Sequence, residues 1–450
     1  MIKNMTMISH ELLHKFEEEF NHNPIHTIAL NAVTNNGASK VAINRQKSAN
    51  YRLTFSTHIN TPNITNQKQS GRCWIFAALN ALRIHTVQYM DVKEFEFSQS
   101  YLMFYDKLEK ANYFLESIIQ TMDKRTDSRI VMWLLQHCME DGGQWSMFTS
   151  LVKKYGVVPK IAYPESISSS ATGLMNTHLS EKLREYAATI RSHYQKHQSI
   201  AALRTLKIQM LSKIYRILVI HNGIPPQNFY WDYYDQKNQF HRGGQITPLA
   251  FKDKYIHTDF DHYVSLINCP TEDKSFNQHY TVGFLGNVID GDAVSYVNVK
   301  ISVMKQAVLK TLKEGIPVWF GCDVGKAISI DKGILDPETF NFESLYNVSF
   351  NMSKGQSVEF GNGSMTHAML ITGVHEQGNH IIRWKVENSW GDKKGQQGFL
   401  VMGDTWFDRH VFQVVVPRNN VDININAILK TKPTKLEPWD AMGSLAMITK

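Results

Sequence analysis

A cysteine at the boundary between a polar loop and an apolar helix is the strongest chemical signal in the sequence. Cys73 follows the turn-rich stretch 61–72 and opens a run whose apolar residues recur on one helical face. A helix N-terminus stabilises a thiolate, because unpaired backbone N–H groups and the helix dipole favour the anion. Gln67 stands six residues earlier, where its amide could donate to an oxyanion beside the Cys73 N–H. The pair predicts a nucleophile with an oxyanion hole, and for Cys73 alone the alternative is a small buried structural residue.

A histidine and an asparagine near the other end of the chain could complete this chemistry. His367 opens a strand-like run, and imidazole can partner a thiolate and then protonate a leaving amine near neutral pH. Asn388 follows 21 residues later, and its amide oxygen could accept a hydrogen bond from His367 and orient the ring. Trp390 could cover that hydrogen bond. Taken alone, any of the 19 histidines is more readily a structural or solvated residue.

The remaining cysteines and the paired histidines lack such a context. The cysteines expected to be structural are Cys138, Cys269 and Cys322. The histidine pairs with i,i+4 spacing, which lack the glutamate of a zinc peptidase and are expected on solvated helix faces, are His10 with His14 and His193 with His197. We therefore expect no metal and no organic cofactor.

Composition indicates an ordered chain with more than one structural unit. The 450 residues are 43% hydrophobic, a length typical of two or three units. The formal charge of +7 is spread along the chain, so an ordinary solvated surface is favoured over nucleic-acid binding. The N-terminus lacks the apolar core of a secretory signal, and no run of about 18 apolar residues predicts a membrane span. Four scattered cysteines fit a reducing compartment, so we predict a soluble cytoplasmic protein.

Apolar periodicity places helices early in the chain and strands late. Helical spacing is found at 9–20, from Cys73 onward, over 97–155, over 175–225 and around 303–314, whereas 255–300 mixes turn and strand signals. Short β-rich runs separated by Gly, Asn and Asp fill 365–416. The pattern predicts an α+β fold with a cleft between a helical part and a β part.

Several motifs, read in chain order, resemble the papain superfamily of cysteine peptidases. They are Gln67-x5-Cys73-Trp74, Asp141-Gly142-Gly143-Gln144-Trp145, His367-Ala368 and Asn388-Ser389-Trp390-Gly391. The resemblance implies that Cys73 is the nucleophile, His367 the acid and base, Asn388 its orienter and Gln67 an oxyanion donor. It also makes four residues candidates for contacts near the substrate: Gly142, Gly143, Thr366 and Trp390.

Other features resemble one branch, the bleomycin hydrolase and aminopeptidase C family. The interval of 294 residues between Cys73 and His367 is about twice the 130–150 of secreted papains. Ser-Gly-Arg precedes the nucleophile, and the segments 97–101, 107–113 and 437–440 also match. The resemblance implies a papain-like α+β fold, with a helical left part, an antiparallel β-barrel-like right part, a large helical insertion and a C-terminal arm. We expect an N-terminal arm at 1–60, the helical part at 61–170, a mainly helical insertion used for oligomerisation at 171–340, the β part at 341–430 and the arm at 431–450.

The family's properties are expectations for this chain. They imply a cytosolic homohexamer that removes N-terminal residues from peptides with broad specificity, with the C-terminal carboxylate meeting the substrate amine. The family tail ends near Ala446, whereas four residues follow it here, so we expect trimming to Ala446; the alternative is that the extra residues are harmless. Endopeptidase activity and a secondary nucleic-acid-binding role stay open. A catalytically dead interaction protein is disfavoured because no catalytic position is replaced.

Overall fold

Helices fill most of the first half of the chain, and nearly all of the strands lie in the second half. The structure, a computed structural model, describes residues 7–49, 51–197 and 199–443. The helices are α1 His10–Asn21, α2 Pro24–Asn36, α3 Ala38–Ala42, α4 Arg45–Ala49, α5 Cys73–Met90, α6 Gln99–Gln120, α7 Arg129–Gln136, α8 Trp145–Tyr155, α9 Ile167–Ser170, α10 Gly173–His197, α11 Ile200–Asn222, α12 Pro248–Tyr255, α13 Ile301–Lys313, α14 Phe342–Tyr346, α15 Lys354–Glu359, α16 Asp404–His410 and α17 Ile423–Ile428. The strands are β1 Thr57–His58, β2 Phe229–Tyr234, β3 Phe240–Ile246, β4 Tyr263–Ile267, β5 Gln278–Val282, β6 Tyr296–Asn298, β7 Val318–Cys322, β8 Ile328–Ser329, β9 Ile334–Leu335, β10 His367–Gln377, β11 His380–Glu387, β12 Phe399–Gly403, β13 Val411–Pro417 and β14 Thr434–Leu436.

The N-terminal arm begins with the helix that the sequence predicts. The Ser9 hydroxyl accepts a hydrogen bond from the Leu12 N–H at 3.1 Å and so caps α1. The apolar stripe of α1 does not enter the core, however, because the helix has no buried residue. Its large apolar side chains, which lie exposed, are Leu12, Leu13, Phe16 and Phe20.

A single large sheet forms the β part and reaches further back along the chain than predicted. Its hydrogen-bonded order is β14-β5-β6-β4-β13-β7-β10-β11-β12-β9-β8, with β1 paired to β10. Most neighbours are antiparallel, and the parallel ones are β4 with β6, β5 with β14, and β9 with β12. The barrel-like closure stays a prediction, since the order ends at β14 and β8. The strands β4 to β9 lie before residue 341, so the sheet does not begin at that predicted boundary.

The predicted insertion is therefore helical only in its first part. The long helices α10 and α11 pack against each other and against α6. The hairpin β2–β3 follows, and the chain then enters the sheet through β4. The sequence-based prediction missed these strands because they are short, and a strand buried at every residue, such as β7, carries no alternation that distinguishes it from a helix.

The helix α5 connects the two parts of the molecule. It packs against β10 and β7 on the sheet and against α6 and α8 on the helical part. The side chains of Trp74, Ile75 and Phe76 are at most 1% exposed. The indole N–H of Trp319, in β7, donates to the backbone oxygen of Trp74 at 3.2 Å. The start of α5 is thereby fixed against the sheet. Over the described ranges, no helix has the length and apolar character that crossing a bilayer requires.

Candidate active site

The predicted nucleophile lies where α5 meets β10. Cys73 is the first residue of α5, and its side chain is completely buried. The backbone N–H of Ala368 lies 3.4 Å from its Sγ atom and donates to it. Ala368 follows His367 at the start of β10, so the packing of a helix on a strand brings together two residues that are 295 positions apart.

Burial determines the protonation states of Cys73 and His367. It raises the pKa of the Cys73 thiol to about 12, although hydrogen bonds from the Ala368 and Trp74 N–H groups oppose the shift. Burial also lowers the pKa of His367 to about 4, against the hydrogen bond with Asn388. Both shifts favour the neutral forms, a thiol and a neutral imidazole. Transfer of the proton from sulfur to imidazole creates opposite charges that stabilise each other, so the reactive ion pair forms as a unit.

The hydrogen bond between His367 and Asn388 fixes the imidazole tautomer. His367 Nε2 lies 2.9 Å from Asn388 Oδ1, and the Ser389 N–H donates to the same oxygen at 2.8 Å. Because this oxygen only accepts, Nε2 carries the proton and Nδ1 keeps its lone pair for the thiol. The ring of Trp390 lies 4.9 Å from the His367 ring, centroid to centroid, and its role in covering the hydrogen bond stays a prediction.

Gln67 is held to the segment that carries Asn388. Its side-chain oxygen accepts from the Ser389 hydroxyl at 2.6 Å, and its backbone N–H donates to the Ser389 carbonyl at 2.8 Å. The amide nitrogen donates one hydrogen to the carbonyl of Ser70 at 2.6 Å. An amide carries two such hydrogens, so the second is available to a developing oxyanion.

The paired glycines lie beside the nucleophile helix. A Cβ atom on Gly143 would stand 2.6 Å from the ring of Trp74, so the residue must be glycine for the backbone to approach that closely. The carbonyl of Gly142 accepts from the Lys110 ammonium at 2.5 Å, and the Trp74 indole donates to the carbonyl of Asp141 at 2.7 Å. These contacts hold the glycine segment along one wall of the site. Whether the glycines contact substrate stays a prediction.

The Asp141 carboxylate, for which the motifs predict no role, supports the segments around Cys73 through its contacts. It is buried, pairs with the Lys107 ammonium at 2.5 Å and accepts from the Gly71 N–H at 2.8 Å. The hydroxyl of Thr172 donates to it as well, at 2.5 Å. Burial alone would raise its pKa, but the Lys107 ion pair and these hydrogen bonds hold the pKa below the usual carboxyl value. The carboxylate therefore ties the turn before Cys73 to the glycine segment.

The other predicted residues have different outcomes. Thr366 is half-buried, and its N–H donates to the carbonyl of Cys322 at 2.9 Å, beside the buried Asp323. Its place in a substrate pocket stays a prediction. Ala446 lies outside the described residues. The three other cysteines are buried free thiols. Within the described ranges, no three His, Cys, Asp or Glu side chains gather in a metal-binding arrangement.

Comparisons with known proteins agree with the papain-like α+β fold. The model of the Peptidase C1-like family matches residues 7–443. Aminopeptidase C of Listeria innocua serovar 6a is 41% identical over 442 residues, which cover 98% of this chain and 100% of that protein. Bleomycin hydrolase of Mus musculus is 39% identical over 391 residues, or 85% of this chain and 86% of that protein. The crystal structure of PepW from Lactobacillus rhamnosis HN001 has a TM-score of 0.97 at 40% identity, covering 98% of this chain and 100% of that one.

A helix-borne cysteine facing a strand-borne histidine and its asparagine defines the class of papain-like cysteine peptidases. Within that class, the chain belongs to the Peptidase C1-like family. The predicted resemblance to the bleomycin hydrolase and aminopeptidase C branch is thereby confirmed.

Proposed function

We propose that this chain is a cysteine aminopeptidase that releases N-terminal residues from peptides, with Cys73, His367, Asn388 and Gln67 as its catalytic residues. The observation that carries the assignment is the junction of α5 and β10, where the residue after His367 donates to the Cys73 sulfur. The names of the relatives, aminopeptidase C and bleomycin hydrolase, support the reaction class. No step of this reaction needs a metal or an organic cofactor.

The reaction proceeds through a thioester. The Cys73 thiol passes its proton to Nδ1 of His367, and the sulfur attacks the peptide carbonyl carbon. Gln67 and the Cys73 backbone N–H stabilise the resulting oxyanion. The C–N bond then breaks, and the leaving amine takes the proton from His367. Water attacks the thioester while His367 accepts its proton, the C–S bond breaks, and the proton returns to sulfur.

We assign recognition of the substrate amine to the C-terminal arm at 431–450. Three contacts anchor its described part: β14 pairs with β5, Asp440 pairs with the buried Lys274 ammonium at 2.8 Å, and the Tyr296 hydroxyl donates to the carbonyl of Met442 at 3.2 Å. Gly443 lies on the wall of a cavity of about 90 Å³ that Gly142 also lines. Ala446 is three residues further along the chain, so trimming there would bring a carboxylate to the cleft. Such a carboxylate would pair with a free N-terminus and exclude longer chains.

We further propose that the protein is a cytoplasmic homohexamer. Large exposed apolar side chains on α1, α2 and the stretch after α14 support subunit contacts, because monomers rarely leave so many uncovered. They include Phe16, Phe20, Ile25, Ile28, Val348, Phe350 and Met352. A nucleic-acid-binding role has only the net charge of +7 in its favour and is not proposed.

The test is hydrolysis of one fluorogenic aminoacyl amide, in free and N-acetylated forms, under reducing conditions. Release from the free amine only, lost in Cys73→Ala, is the expected result. Cleavage of the acetylated form as well would replace the aminopeptidase assignment with an endopeptidase. Hydrolysis that survives Cys73→Ala would overturn the assignment of the nucleophile. Intact mass of the purified protein reports the tail, and retention of Lys450 would contradict trimming.

A further inference from the structure

A single buried amide joins the three segments that carry Cys73, Gln67 and Asn388. Asn80 lies on α5, seven residues, or about two turns, after Cys73. Its Nδ2 donates to the hydroxyl of Thr65 at 2.9 Å and to Oε1 of Glu387 at 2.9 Å. Asn80, Thr65 and Glu387 are each at most 3% exposed, so neither bond competes with bulk water.

The hydrogen bond to Thr65 connects Asn80 with the loop that carries Gln67, the proposed oxyanion donor. Thr65 stands two residues before Gln67, and its carbonyl accepts from the Gly391 N–H at 3.0 Å. The loop that presents Gln67 is therefore held from one side by the helix of the nucleophile and from the other by the segment after Trp390. A shift of Thr65 would move the Gln67 amide relative to Cys73.

The hydrogen bond to Glu387 connects Asn80 with the segment that carries Asn388, which accepts from His367. Glu387 is the last residue of β11 and directly precedes Asn388. The Arg83 guanidinium, one turn beyond Asn80 on α5, lies 3.5 Å from the same Oε1 atom. Burial raises the pKa of Glu387 against the Arg83 charge, and burial likewise lowers the pKa of Arg83. A buried charge of this kind is tolerated only with its partner in place, so the ion pair fixes the distance between α5 and β11.

We infer that Asn80, Thr65 and Glu387 are positioning residues, which align the oxyanion donor and the His367–Asn388 pair with the nucleophile helix. The inference rests on the proposed function, because it assumes the roles assigned to Cys73 and Gln67. The two hydrogen bonds of Asn80 define a Thr65 branch and a Glu387 branch, which act on different steps of the reaction. The Thr65 branch acts on stabilisation of the oxyanion, and the Glu387 branch acts on formation of the thiolate–imidazolium pair.

The variants Thr65→Val and Glu387→Gln separate these branches when turnover is compared with alkylation of Cys73 by iodoacetamide. Alkylation needs the thiolate but develops no oxyanion. Thr65→Val should therefore lower kcat by about tenfold or more, with KM and the pH profile of alkylation unchanged. Glu387→Gln should lower kcat and also displace the pH profile of alkylation. Thr65→Ser, which restores the hydroxyl, should recover the kcat of the wild type.

The matched control is Thr86→Val on the same helix. Thr86 is buried, and its hydroxyl donates to the carbonyls of Leu82 and Tyr255, each at 3.1 Å, so it makes no contact with the segments that carry Gln67 and Asn388. It should lower the melting temperature without altering kcat or the pH profile. If Thr65→Val leaves kcat unchanged, as Thr86→Val should, the inference is overturned. This outcome decides the matter even if Glu387→Gln does not fold. Failure of iodoacetamide to inactivate the wild type would instead refute the proposed function.

Discussion

Gly143 and Trp74 are in direct contact, with the indole occupying the space that a Cβ atom on the glycine would need. The nearest ring atom would lie 2.6 Å from that Cβ, well inside van der Waals contact. Trp74 follows the nucleophile in α5, so any displacement of its ring is passed to the start of the helix. The glycine wall and the nucleophile therefore form one packed unit.

This contact predicts the effect of Gly143→Ala. Overpacking a rigid contact costs about 1–3 kcal/mol, so the free energy of unfolding should fall by that amount, and kcat/KM should fall with it. Urea denaturation and hydrolysis of the free aminoacyl amide measure the two quantities. Gly173→Ala at the start of α10 is the control, since nothing lies within 4 Å of its added Cβ. Equal behaviour of the two variants would refute the packing argument.

Removal of the amide of Asn388 should slow the reaction without unfolding the protein. Asn388→Ala loses the 2.9 Å hydrogen bond that sets the tautomer of His367. Misorientation of a catalytic group costs up to about 100-fold, so we expect kcat to fall by about 10- to 100-fold with little change in KM. Steady-state kinetics check this. Asn388→Gln, which keeps an amide in a longer side chain, should not restore the rate, and full activity of the alanine variant would contradict the assignment.

The ion pair between Asp141 and Lys107 should be important for stability. Asp141→Asn leaves the ammonium of Lys107 buried without its counter-ion, and breaking a buried pair from one side costs about 3–5 kcal/mol. The double variant with Lys107→Met should be less unstable than the sum of the two single variants. Urea titration of the four proteins gives the coupling energy. Strict additivity would show that the pair contributes no coupling.

His410 makes stability depend on pH. Burial lowers its pKa from about 6.5 to about 4, and the Lys354, Arg409 and Lys326 charges act in the same direction. The unfolded chain thus binds a proton between pH 6.5 and 4 that the folded chain does not, so stability falls as pH decreases across this window. At about 1.4 kcal/mol per pH unit, the full loss is about 3 kcal/mol.

His410→Gln should flatten this dependence, as measured by urea denaturation at several pH values. The control is His380→Gln at the exposed start of β11, which should keep the slope of the wild type. An unchanged slope in His410→Gln would mean that other groups, among them His367, account for the acid sensitivity.

Loosening the arm should broaden the range of substrates. Asp440→Asn removes one partner of the buried Lys274 and weakens the anchor of the last described residues. We expect the ratio of N-acetylated to free substrate hydrolysis to rise, because the tail then excludes blocked peptides less well. Lys153→Met, which removes surface ion pairs with Asp261 and Asp292 but leaves the pair between Asp440 and Lys274 intact, is the control. An unchanged ratio in Asp440→Asn would argue against control by the arm.

The sequence singles out four residues as catalytic candidates because their side-chain chemistry is specific and their motifs occur in a characteristic order, and their roles stay predictions. The structure brings Cys73 to Ala368 and joins His367 to Asn388, as the motifs indicated. The residues that hold these candidates in place could not be identified from the sequence. Asn80 and Asp141 act through partners that packing selects, and the same residue types occur on many solvated surfaces.

The fold shows a similar division. The sequence predicts long helices such as α10 and α11, because a hydrophobic period that is repeated over many turns is easily distinguished from chance spacing. The short strands from β4 to β9 lie within the predicted helical insertion, because two to five residues are too few to show a period. The exposed stripe of α1 shows a further limit, since periodicity reveals an apolar face but not whether the same chain covers it.

The distance along the chain between nucleophile and acid has a consequence for biosynthesis. At about 5–20 residues per second, a ribosome takes roughly 15 to 60 s to travel the 294 residues from Cys73 to His367. Until β10 has been made, α5 lacks the strand that carries His367, and in the proposed mechanism Cys73 then has no proton acceptor. If Cys73 and His367 have the proposed roles, a growing chain is unable to cut itself or its neighbours before His367 is made. The order of the segments would then delay proteolysis until β10 has been synthesised.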